Sequence, residues 1–385
     1  MNFDLTEEQR LIQNTAREFA GAELEPAAAG LDRGEDDGIF YKNLAKLAEL
    51  GFMGLNIRDT YGGSEAGVVA FSLAMTEIAR ACASTAVTVS VNNMVGEVIQ
   101  ALGNEEQKKR YITRICSGEY PAGAFGLTEP GAGSDPAGMT TAAVRDGEEW
   151  VLNGSKIFIT SGSCAGVFVV WAVTNPKAAK GKGISMFLVE ADTPGLIIGR
   201  KEDKMGQHAS PTNEILFQDC RIPGNALMGK ENDGFRGAVG ELAGGRIGIG
   251  SLALGIGLAA MDKATKYSLE RAQFGKKISN FQAIQWKIAD MYTDLEAARL
   301  LLMHAAFKKE QGRPFAKAAS MAKLFASEAA NRACYEAMQI FGGYGYTREF
   351  PIERYARDAR VTSIYEGTSE IQRLIIAREI LNEFS

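Results

Sequence analysis

A single glutamate near the C-terminus has the surroundings that proton transfer requires. Glu366 lies between Tyr365 and Gly367. A helix is predicted to begin just after it, because Ser369 and Gln372 have the S-x-x-Q spacing of a capping box. A carboxylate held on such a turn beside an aromatic ring can lose part of its hydration and act as a general base. Taken alone, the stretch also fits a surface glutamate, since perturbed carboxylates are a minority.

A glycine-containing loop, residues 125–135, could carry backbone N–H groups close to a ligand. Gly131 and Gly133 free the backbone, and Thr128 and Ser134 offer hydroxyls. Such a loop can present its N–H groups to a phosphate or to the polar edge of a ring. It lacks the strand-turn-helix context of a dinucleotide-binding fingerprint, and taken alone it is more often a simple turn.

A second glycine cluster, residues 339–346, follows a long predicted helix. It has three glycines within four residues, whereas a helix C-cap needs one. A segment with so few side chains allows another chain or a cofactor to approach its backbone closely. Arg271, beside Phe274 and Gly275 between two predicted helices, could bind a diphosphate, although an exposed loop arginine is an equally good interpretation.

Length and composition exclude several classes of protein. The chain has 385 residues, 46% of them hydrophobic and 23% charged, which is ordinary for a globular protein with two or three packed regions. A net charge of −5 and the lack of a long basic run argue against nucleic-acid binding. No apolar stretch approaches membrane-spanning length, so we expect no membrane span. The first residues lack a secretory or transit pattern, which predicts a bacterial cytoplasmic protein, or a mitochondrial matrix protein if the chain is a trimmed mature form.

The cysteines and histidines point away from metal chemistry. Five scattered cysteines without CxxC spacing are typical of reduced, buried thiols. His208 and His304 are the only histidines, which argues against a zinc site or a Ser-His-Asp triad, and we expect no metal. Chemistry must therefore rest on carboxylates, hydroxyls, backbone amides or a bound cofactor.

The periodicity predicts an α+β fold in three domains. Residues 1–120 have helical patterns, which begin with a capping box at Thr6 and Gln9. Residues 121–228 have strand-like runs and two hairpin signals, at 145–148 and 152–155, which predict an antiparallel meander or small barrel. Residues 229–385 return to helices with the spacing of a bundle.

These motifs together resemble those of the acyl-CoA dehydrogenase family. The resemblance runs from Thr6 to Arg378. Residues 126–138 match the first signature of the family, residues 339–358 match the second, and residues 364–370 resemble the catalytic segment of its short- and medium-chain members, such as butyryl-CoA dehydrogenase. The resemblance implies the three-domain fold of that family, with helical, β and helical domains.

The resemblance also implies noncovalently bound FAD and a homotetramer built as a dimer of dimers. The residues implied to line the FAD of the same subunit are Phe125, Leu127, Thr128, Ser134, Phe158, Ile159 and Thr160, with Thr368 and Glu370 from the catalytic segment. Those implied to reach the FAD of a neighbouring subunit are Arg271, Gln273, Phe274, Gln282 and the segment 339–343, including Gln339, Gly342 and Gly343. The implied substrate contacts are Ser134, Arg246, Tyr365 and Gly367.

The mechanism implied by the resemblance makes Glu366 the catalytic base. It would abstract the α-proton of an acyl-CoA while the β-hydrogen leaves as hydride to flavin N5, and the product would be the 2-enoyl-CoA. An electron-transferring flavoprotein would then accept the electrons, as in fatty acid metabolism. Alternatives with the same fold are an acyl-CoA oxidase, an enoyl-CoA reductase and, against the nearly complete flavin motifs, a non-catalytic binding protein.

Two departures from the usual family pattern concern the substrate. Many members have an aspartate where this chain has Ala243, and in them that aspartate and the arginine equivalent to Arg246 border the substrate channel. The segment 56–61 replaces a loop that commonly contains proline. The acyl group stays open, and straight short-chain, branched and alicyclic groups are all possible because packing across several helices shapes the pocket.

Overall fold

The computed structural model describes residues 4–385, and side chains throughout that range except those of Arg236, Ala238, Val239, Glu241 and Leu242. Helices occupy both ends of the chain and a sheet occupies the middle, as the sequence predicts. Two hydrophobic cores result: a large one shared by the helices and one face of the sheet, and a smaller one on the other face of the sheet.

Seven α-helices form the N-terminal part from residue 4 onward, where the described structure begins. The predicted capping box is confirmed, since Thr6 and Gln9 exchange both side chain-to-backbone hydrogen bonds at the first helix. The third helix ends at Leu50, and Gly51 follows it with a φ of 78°, which a glycine adopts without strain. The helices are α1 (Glu7–Phe19), α2 (Glu25–Asp32), α3 (Ile39–Glu49), α4 (Gly67–Ala81), α5 (Ala83–Leu102), α6 (Glu105–Gln107) and α7 (Thr113–Ser117).

The middle of the chain forms one eight-stranded sheet with the order β6-β7-β3-β2-β4-β5-β8, to which β1 is added beside β4. Most pairs are antiparallel, but β1 and β2 both pair with β4 in parallel, so the sheet is mixed. The predicted β region is therefore present, but its sheet is mixed, whereas the strand pattern predicted an antiparallel meander or small barrel. The strands are β1 (Ala122–Gly126), β2 (Ala142–Asp146), β3 (Glu149–Thr160), β4 (Ala165–Val173), β5 (Ile184–Glu190), β6 (Leu196–Lys201), β7 (Thr212–Pro223) and β8 (Leu227–Met228).

Strand β4 is apolar along nearly its whole length because both of its faces are covered. Val169 and Trp171 belong to the core shared with the helices, whereas Phe168 and Val170 belong to the core on the opposite face. Alternate side chains of a strand point to opposite faces of the sheet, so a strand between two cores needs apolar residues at every position. This double burial fixes the sheet against the helices.

One of the two predicted hairpins is correct and the other is wrong. Residues 145–148 form the turn between β2 and β3, where Asp146 pairs with Glu149. Residues 152–155 lie inside β3, which continues to Thr160. Gly154 instead marks an irregularity in the pairing of β3 with β7. A Cβ at Gly154 would lie 2.7 Å from the Cα of Thr141, so the glycine allows close contact between backbones rather than a chain reversal.

The C-terminal part is a helical bundle around one long helix. It comprises α8 (Gly234–Glu270), a short hairpin of β9 (Ala272–Gln273) and β10 (Lys276–Lys277), α9 (Gln282–Glu310), α10 (Ala316–Phe341), α11 (Ile352–Arg360) and α12 (Ser369–Glu383). Glycines let α8 lie close to its neighbours: a Cβ at Gly257 would be 3.2 Å from the Cα of Ala330 on α10, and one at Gly255 would be 2.3 Å from the carbonyl oxygen of Thr76 on α4.

Part of α8, Ala243–Glu270, is long and apolar enough to cross a membrane. This corrects the expectation that no apolar stretch approaches such a length. The 18-residue window that meets the criterion is 94% buried inside the protein, because α8 is the central helix and packs against α4, α5, α9 and α10. Its apolar character is therefore explained by its place in the core.

A buried ion pair holds the loop after β1 against β3. Lys156 Nζ lies 2.8 Å from Glu129 Oε1, and the side chains of the two residues are 0% and 4% exposed. The Glu129 carboxylate also accepts hydrogen bonds from the backbone N–H groups of Thr140 and Thr141. Burial raises the pKa of Glu129, but Lys156 and these hydrogen bonds outweigh it and lower that pKa to about 2. Glu129 thus organises the loop and is ionised at neutral pH.

Replacing Lys156 by methionine should lower the free energy of unfolding by about 3–5 kcal/mol, because it leaves a buried carboxylate unpaired. Urea unfolding monitored by circular dichroism measures this loss. Lys180→Met is the matched control, since Lys180 pairs with Asp135 in the same domain but both side chains are largely exposed. Its effect should be about 1 kcal/mol or less. Equal losses for the two variants would contradict the structural role of Lys156.

Candidate active site

The backbone around Glu366 is held in an unusual conformation by two side chains. Glu366 has a φ of 52°, which is rare for a residue other than glycine. Gln372 donates from Nε2 to the carbonyl oxygens of Glu366 and Gly367, at 3.2 and 2.8 Å. Lys323 on α10 donates to the same Gly367 carbonyl at 2.8 Å. These bonds keep the turn ahead of α12 in one conformation, as a positioned base requires.

The capping box predicted at Ser369 is wrong. Thr368 is the N-cap of α12, and its hydroxyl accepts a hydrogen bond from the N–H of Ile371. Gln372 lies in the first turn and reaches back past the cap to the carbonyls of the preceding turn. The S-x-x-Q pattern gave a wrong prediction because the Gln372 side chain bonds to the carbonyls of this turn instead of to the backbone at the start of the helix.

The Glu366 carboxylate lies directly against helix α8. A Cβ at Gly245 would be 2.1 Å from Glu366 Oε2 and 2.9 Å from the Sδ of Met94. Only a glycine at this position leaves room for the carboxylate, because any other side chain would occupy its place. Gly245 and Met94 are therefore part of the site, although the sequence motifs do not mark them.

The electrostatic surroundings of Glu366 hold the pKa of its carboxyl near neutral pH. Burial raises the pKa of its carboxyl to about 7, and the positive charges of Arg246 and Lys323 limit that rise. Oε2 is buried and accepts no hydrogen bond from any residue that the structure describes. One carboxylate oxygen is thus free to take a proton, and it changes protonation near physiological pH.

Both cations near Glu366 are themselves buried. Arg246 on α8 donates from Nη1 to the hydroxyl of Ser320 at 3.4 Å. Burial lowers the pKa of Lys323 to about 8, because little water remains to solvate its ammonium group. The sequence analysis missed Lys323. The signal was available: this lysine shares a helix face with Ala319, Ala326 and Ala330, which lie four, three and seven residues away.

Tyr365 ties the base to the β domain. Gln207, in the loop before β7, donates from Nε2 to the Tyr365 hydroxyl at 3.3 Å. The backbone N–H of Gln207 donates to Oδ1 of Asp358 on α11 at 2.5 Å. Burial raises the pKa of Asp358 to about 6, and the Gln207 N–H opposes that rise. Neither Gln207 nor its role could be read from the motifs, since the contact spans 158 positions of the chain.

The structure brings the residues around the first glycine loop together with the end of β3. The N–H of Ile157 donates to the carbonyl oxygen of Thr128 at 2.9 Å, which places Phe125, Leu127 and Thr128 beside Phe158, Ile159 and Thr160. Phe158 is 62% exposed with a φ of 58°, whereas Ile159 is buried. Gly131 and Gly133 face open space, and Ser134 is exposed on the same loop.

These residues fit a planar ring system with polar edges. The aromatic ring of Phe158 is exposed near the end of β3, whereas the next residue, Ile159, is buried. The left-handed backbone conformation of Phe158 turns this ring outward. A flat cofactor that covers Phe158 and bonds to the adjacent loop would fit this exposed aromatic face.

The other predicted cofactor residues lie at a separate place, around the start and end of the bundle helices. Arg271 leads into the β9–β10 hairpin, and its guanidinium is 6.0 Å from the ring centroid of Tyr344, next to Gly342 and Gly343. Phe274 at the tip of the hairpin is 93% exposed. The remaining predicted residues here, Gln273, Gln282 and Gln339, are also exposed, while Thr368 and Glu370 lie at the start of α12 beside the base.

Comparisons with known proteins agree with this architecture over the whole chain. Three family models match: the N-terminal domain of acyl-CoA dehydrogenase at residues 6–119, the middle domain at residues 124–220 and the C-terminal domain at residues 232–381. The chain is 46% identical to the mitochondrial short-chain specific acyl-CoA dehydrogenase of Mus musculus, with 99% of this chain and 92% of that protein covered. It is also 46% identical to the acryloyl-CoA reductase (NADH) of Anaerotignum propionicum, with 99% and 96% covered.

Solved structures give the same result. Butyryl-CoA dehydrogenase from Megasphaera elsdenii is 41% identical with a TM-score of 0.95, and 99% of this chain and 100% of that chain are covered. A chain solved in work on the electron transferring flavoprotein of Acidaminococcus fermentans and flavin-based electron bifurcation is 46% identical with a TM-score of 0.96, with the same coverage.

The chain therefore belongs to the acyl-CoA dehydrogenase family. It is an FAD-dependent oxidoreductase that acts as an acyl-CoA dehydrogenase, as the sequence resemblance implied. The three-domain fold of that family, helical at both ends with a central sheet, is confirmed.

The raised pKa of Glu366 should appear as a pH-dependent difference in stability between the wild type and Glu366→Gln. Ionisation of Glu366 costs more in the folded state than in the unfolded state. The wild type should thus lose stability relative to the variant as pH rises from about 4.5 through about 7, by up to about 3 kcal/mol. Urea unfolding of both proteins between pH 4 and pH 8 measures this difference. A difference that does not change with pH would contradict the shift.

Proposed function

We propose that this enzyme oxidises a short-chain acyl-CoA to the trans-2-enoyl-CoA with Glu366 as the catalytic base. The observation that carries the proposal is the Glu366 carboxylate: it is pressed against Gly245, has a pKa near 7, and has one oxygen without a hydrogen-bond partner among the described residues. General bases work best when their pKa lies near the operating pH, because they are then both ionised and sufficiently basic.

Each neighbour of Glu366 has a defined part in the proton transfer. Glu366 Oε2 accepts the α-proton of the thioester, and Gln372 and Lys323 hold the turn so that this oxygen stays in place. Arg246 and Lys323 limit the rise in the Glu366 pKa, so that a substantial fraction of the carboxyl is ionised near neutral pH. The N–H of Glu366 donates to the thioester carbonyl oxygen and stabilises the developing enolate. FAD, when bound, accepts the β-hydrogen as hydride.

The residues predicted to contact FAD and substrate form three groups in this proposal. Phe125, Leu127, Thr128, Ser134, Phe158, Ile159 and Thr160 cover the cofactor of their own subunit, with Thr368 and Glu370. Arg271, Gln273, Phe274, Gln282, Gln339, Gly342 and Gly343 reach the cofactor of a neighbouring subunit. Tyr365, Gly367, Ser134 and Arg246 border the substrate. The exposure of Phe158 and Phe274 supports this division, since an aromatic surface of this kind is normally covered.

The acyl group is short in this proposal because relatives across the whole chain length are named short-chain specific or butyryl-CoA dehydrogenases. The electron acceptor is an electron-transferring flavoprotein, supported by the neighbour solved in work on such a protein. We place the enzyme in fatty acid metabolism, in the cytoplasm of a bacterium or in the mitochondrial matrix, where relatives of both kinds are found.

A reductase is the second candidate, because a relative at 46% identity is named acryloyl-CoA reductase (NADH). The same base and cofactor can run the reaction in either direction, since a catalyst lowers the barrier for both. Oxidation of NADH in the presence of acryloyl-CoA and an electron-transferring flavoprotein would favour the reductase. Bleaching of the flavin by butyryl-CoA, with electrons passed on to that flavoprotein, favours the dehydrogenase. Oxygen consumption without any added acceptor would instead identify an oxidase.

Replacing Glu366 by glutamine should abolish flavin reduction while the protein stays folded and yellow. Glutamine has nearly the same size but cannot accept the α-proton, so the rate should fall at least about 10²–10⁴-fold. Stopped-flow absorbance at 450 nm after mixing with butyryl-CoA measures the rate.

Glu379→Gln is the matched control for this substitution, because Glu379 is an exposed glutamate on α12 that the proposal assigns to neither the cofactor nor the substrate. It should reduce its flavin within a few-fold of the wild-type rate. If Glu366→Gln also reduces its flavin at near the wild-type rate, Glu366 is not the base.

Arg271→Ala should weaken FAD binding more than it weakens folding. The guanidinium is exposed beside the glycine segment, and a lost charge-assisted hydrogen bond to a diphosphate costs about 1.5–3 kcal/mol, or roughly 10- to 150-fold in affinity. Lys276→Ala, on the same hairpin, is the control and should retain FAD. Dialysis followed by the flavin-to-protein absorbance ratio compares the two variants.

The same preparations test the quaternary structure. We expect light scattering to give a homotetramer, because large aromatic side chains of α9 and α10, among them Trp286, Tyr292 and Tyr335, are exposed in the single chain and suit burial by subunit contact. A monomer that binds FAD tightly would contradict the contribution of a neighbouring subunit to the cofactor site.

A further inference from the structure

An ion pair beside Gly244 lies close to Glu366, and the sequence motifs assign no role to either of its residues. Lys309 Nζ on α9 lies 2.5 Å from Oε2 of Glu97 on α5, and the two side chains are 21% and 13% exposed. Asn56, in the loop before α4, donates from Nδ2 to the other carboxylate oxygen of Glu97 at 2.5 Å. Glu97 is thus held from two sides but is still reached by solvent.

This ion pair lies against α8 one residue along the helix from the point that the Glu366 carboxylate contacts. A Cβ at Gly244 would be 2.6 Å from Lys309 Nζ and 3.4 Å from Glu97 Oε2. At the next residue, Gly245, a Cβ would meet the Glu366 carboxylate and Met94. Met94 and Glu97 are three residues apart on α5 and so share one face of that helix. Two adjacent glycines, about 100° apart around α8, therefore leave room for the Glu366 carboxylate and for the ion pair.

One departure of this sequence from the family pattern contacts Glu97, and the other directly precedes the glycine beside it. Asn56 belongs to the loop that replaces the commoner proline-containing version. Ala243, where many members have an aspartate, directly precedes Gly244 and is buried. This chain thus has an alanine on α8 at that position and a carboxylate on α5 beside the next residue of α8.

We propose that Glu97 is the carboxylate of the substrate channel in this enzyme and accepts a hydrogen bond from an amide N–H of the pantetheine arm of the acyl-CoA. A carboxylate has about four lone-pair positions, and Lys309 and Asn56 occupy one on each oxygen, so acceptor capacity is left for a ligand. Lys309 and Asn56 orient the group. This inference rests on the proposed function, because it assumes an acyl-CoA substrate.

The alternative is an ion pair that only joins α5 to α9. Removing such a pair lowers stability but leaves substrate affinity unchanged. Glu77→Gln is a matched control for this effect. Glu77 is a buried glutamate on α4 that pairs with Arg17, and it directly follows Thr76, whose carbonyl faces Gly255. Gly255 is ten residues from Gly245, or about 15 Å along α8.

Glu97→Gln and Glu97→Ala should raise the KM for butyryl-CoA about tenfold or more, with the rate of flavin reduction at saturating substrate within about twofold of wild type. Calorimetry with butyryl-CoA on proteins that also carry Glu366→Gln should show the same loss of affinity without turnover. Adding Ala243→Asp to Glu97→Ala should recover most of the affinity, since it returns a carboxylate to the neighbouring position. Glu77→Gln should lower stability and leave KM unchanged.

The outcomes separate this inference from the proposed function. A wild-type enzyme that bleaches with butyryl-CoA, together with Glu97 variants of unchanged KM and calorimetric affinity, overturns the role of Glu97 alone. Failure of Ala243→Asp to recover affinity lost in Glu97→Ala also overturns it, because the loss would then be structural. A wild-type enzyme that binds no acyl-CoA and shows no bleaching overturns the proposed function itself.

Discussion

The contact between the Glu366 carboxylate and Gly245 is the constraint on which the rest of the site depends. A carboxylate pressed against helix backbone loses hydration, and this loss raises its pKa toward neutrality. Without positive charge nearby, the pKa of the glutamate would rise further and the group would stay protonated. With too much positive charge, its pKa would fall and it would be a weak base. Arg246 and Lys323, both buried, supply an intermediate amount of positive charge.

The composition of α8 follows from the same requirement. The helix lies at the centre of the bundle, and its glycines bring α4, α10 and the catalytic turn closer than larger side chains would allow. Glycine in a helix costs up to about 1 kcal/mol relative to alanine, so such a run is expected only where close approach is needed. At Gly244 and Gly245 the approaching groups are charged side chains, whereas at Gly255 and Gly257 they are the backbones of neighbouring helices. One helix thus serves both the core and the active site.

The β domain is coupled to the base through a few polar contacts. The loop containing Gln207 packs on α11, where a Cβ at Gly206 would lie 2.7 Å from the backbone of Arg357, and Gln207 itself bonds to Tyr365 and Asp358. The same domain presents Phe158 at the end of β3, where the cofactor is proposed to lie. The β domain with Phe158 and the turn that carries Glu366 are therefore held in one arrangement, because buried hydrogen bonds between two elements leave them little freedom to move apart.

The sequence by itself determined the order of helical and β regions, the start of α1 and the turn between β2 and β3, and it singled out Glu366, whose role in proton transfer stays a prediction. These features depend on local patterns: hydrophobic period, capping residues, turn chemistry and a motif a few residues long. It failed where local and distant partners compete, as for Gln372, which bonds to the preceding turn rather than completing a cap, and for Gly154, which meets Thr141 rather than reversing the chain.

Only the tertiary structure decided which side chains surround the base. Gly245, Lys323, Met94 and Gln207 come from three helices and a loop, and none of them lies near Glu366 along the chain. The position of Glu97 beside Gly244 is equally invisible in the sequence, since nothing local links α5 to α8. The pKa of a buried group depends on burial and on charges brought near it through space, and these exist only after the helices have packed.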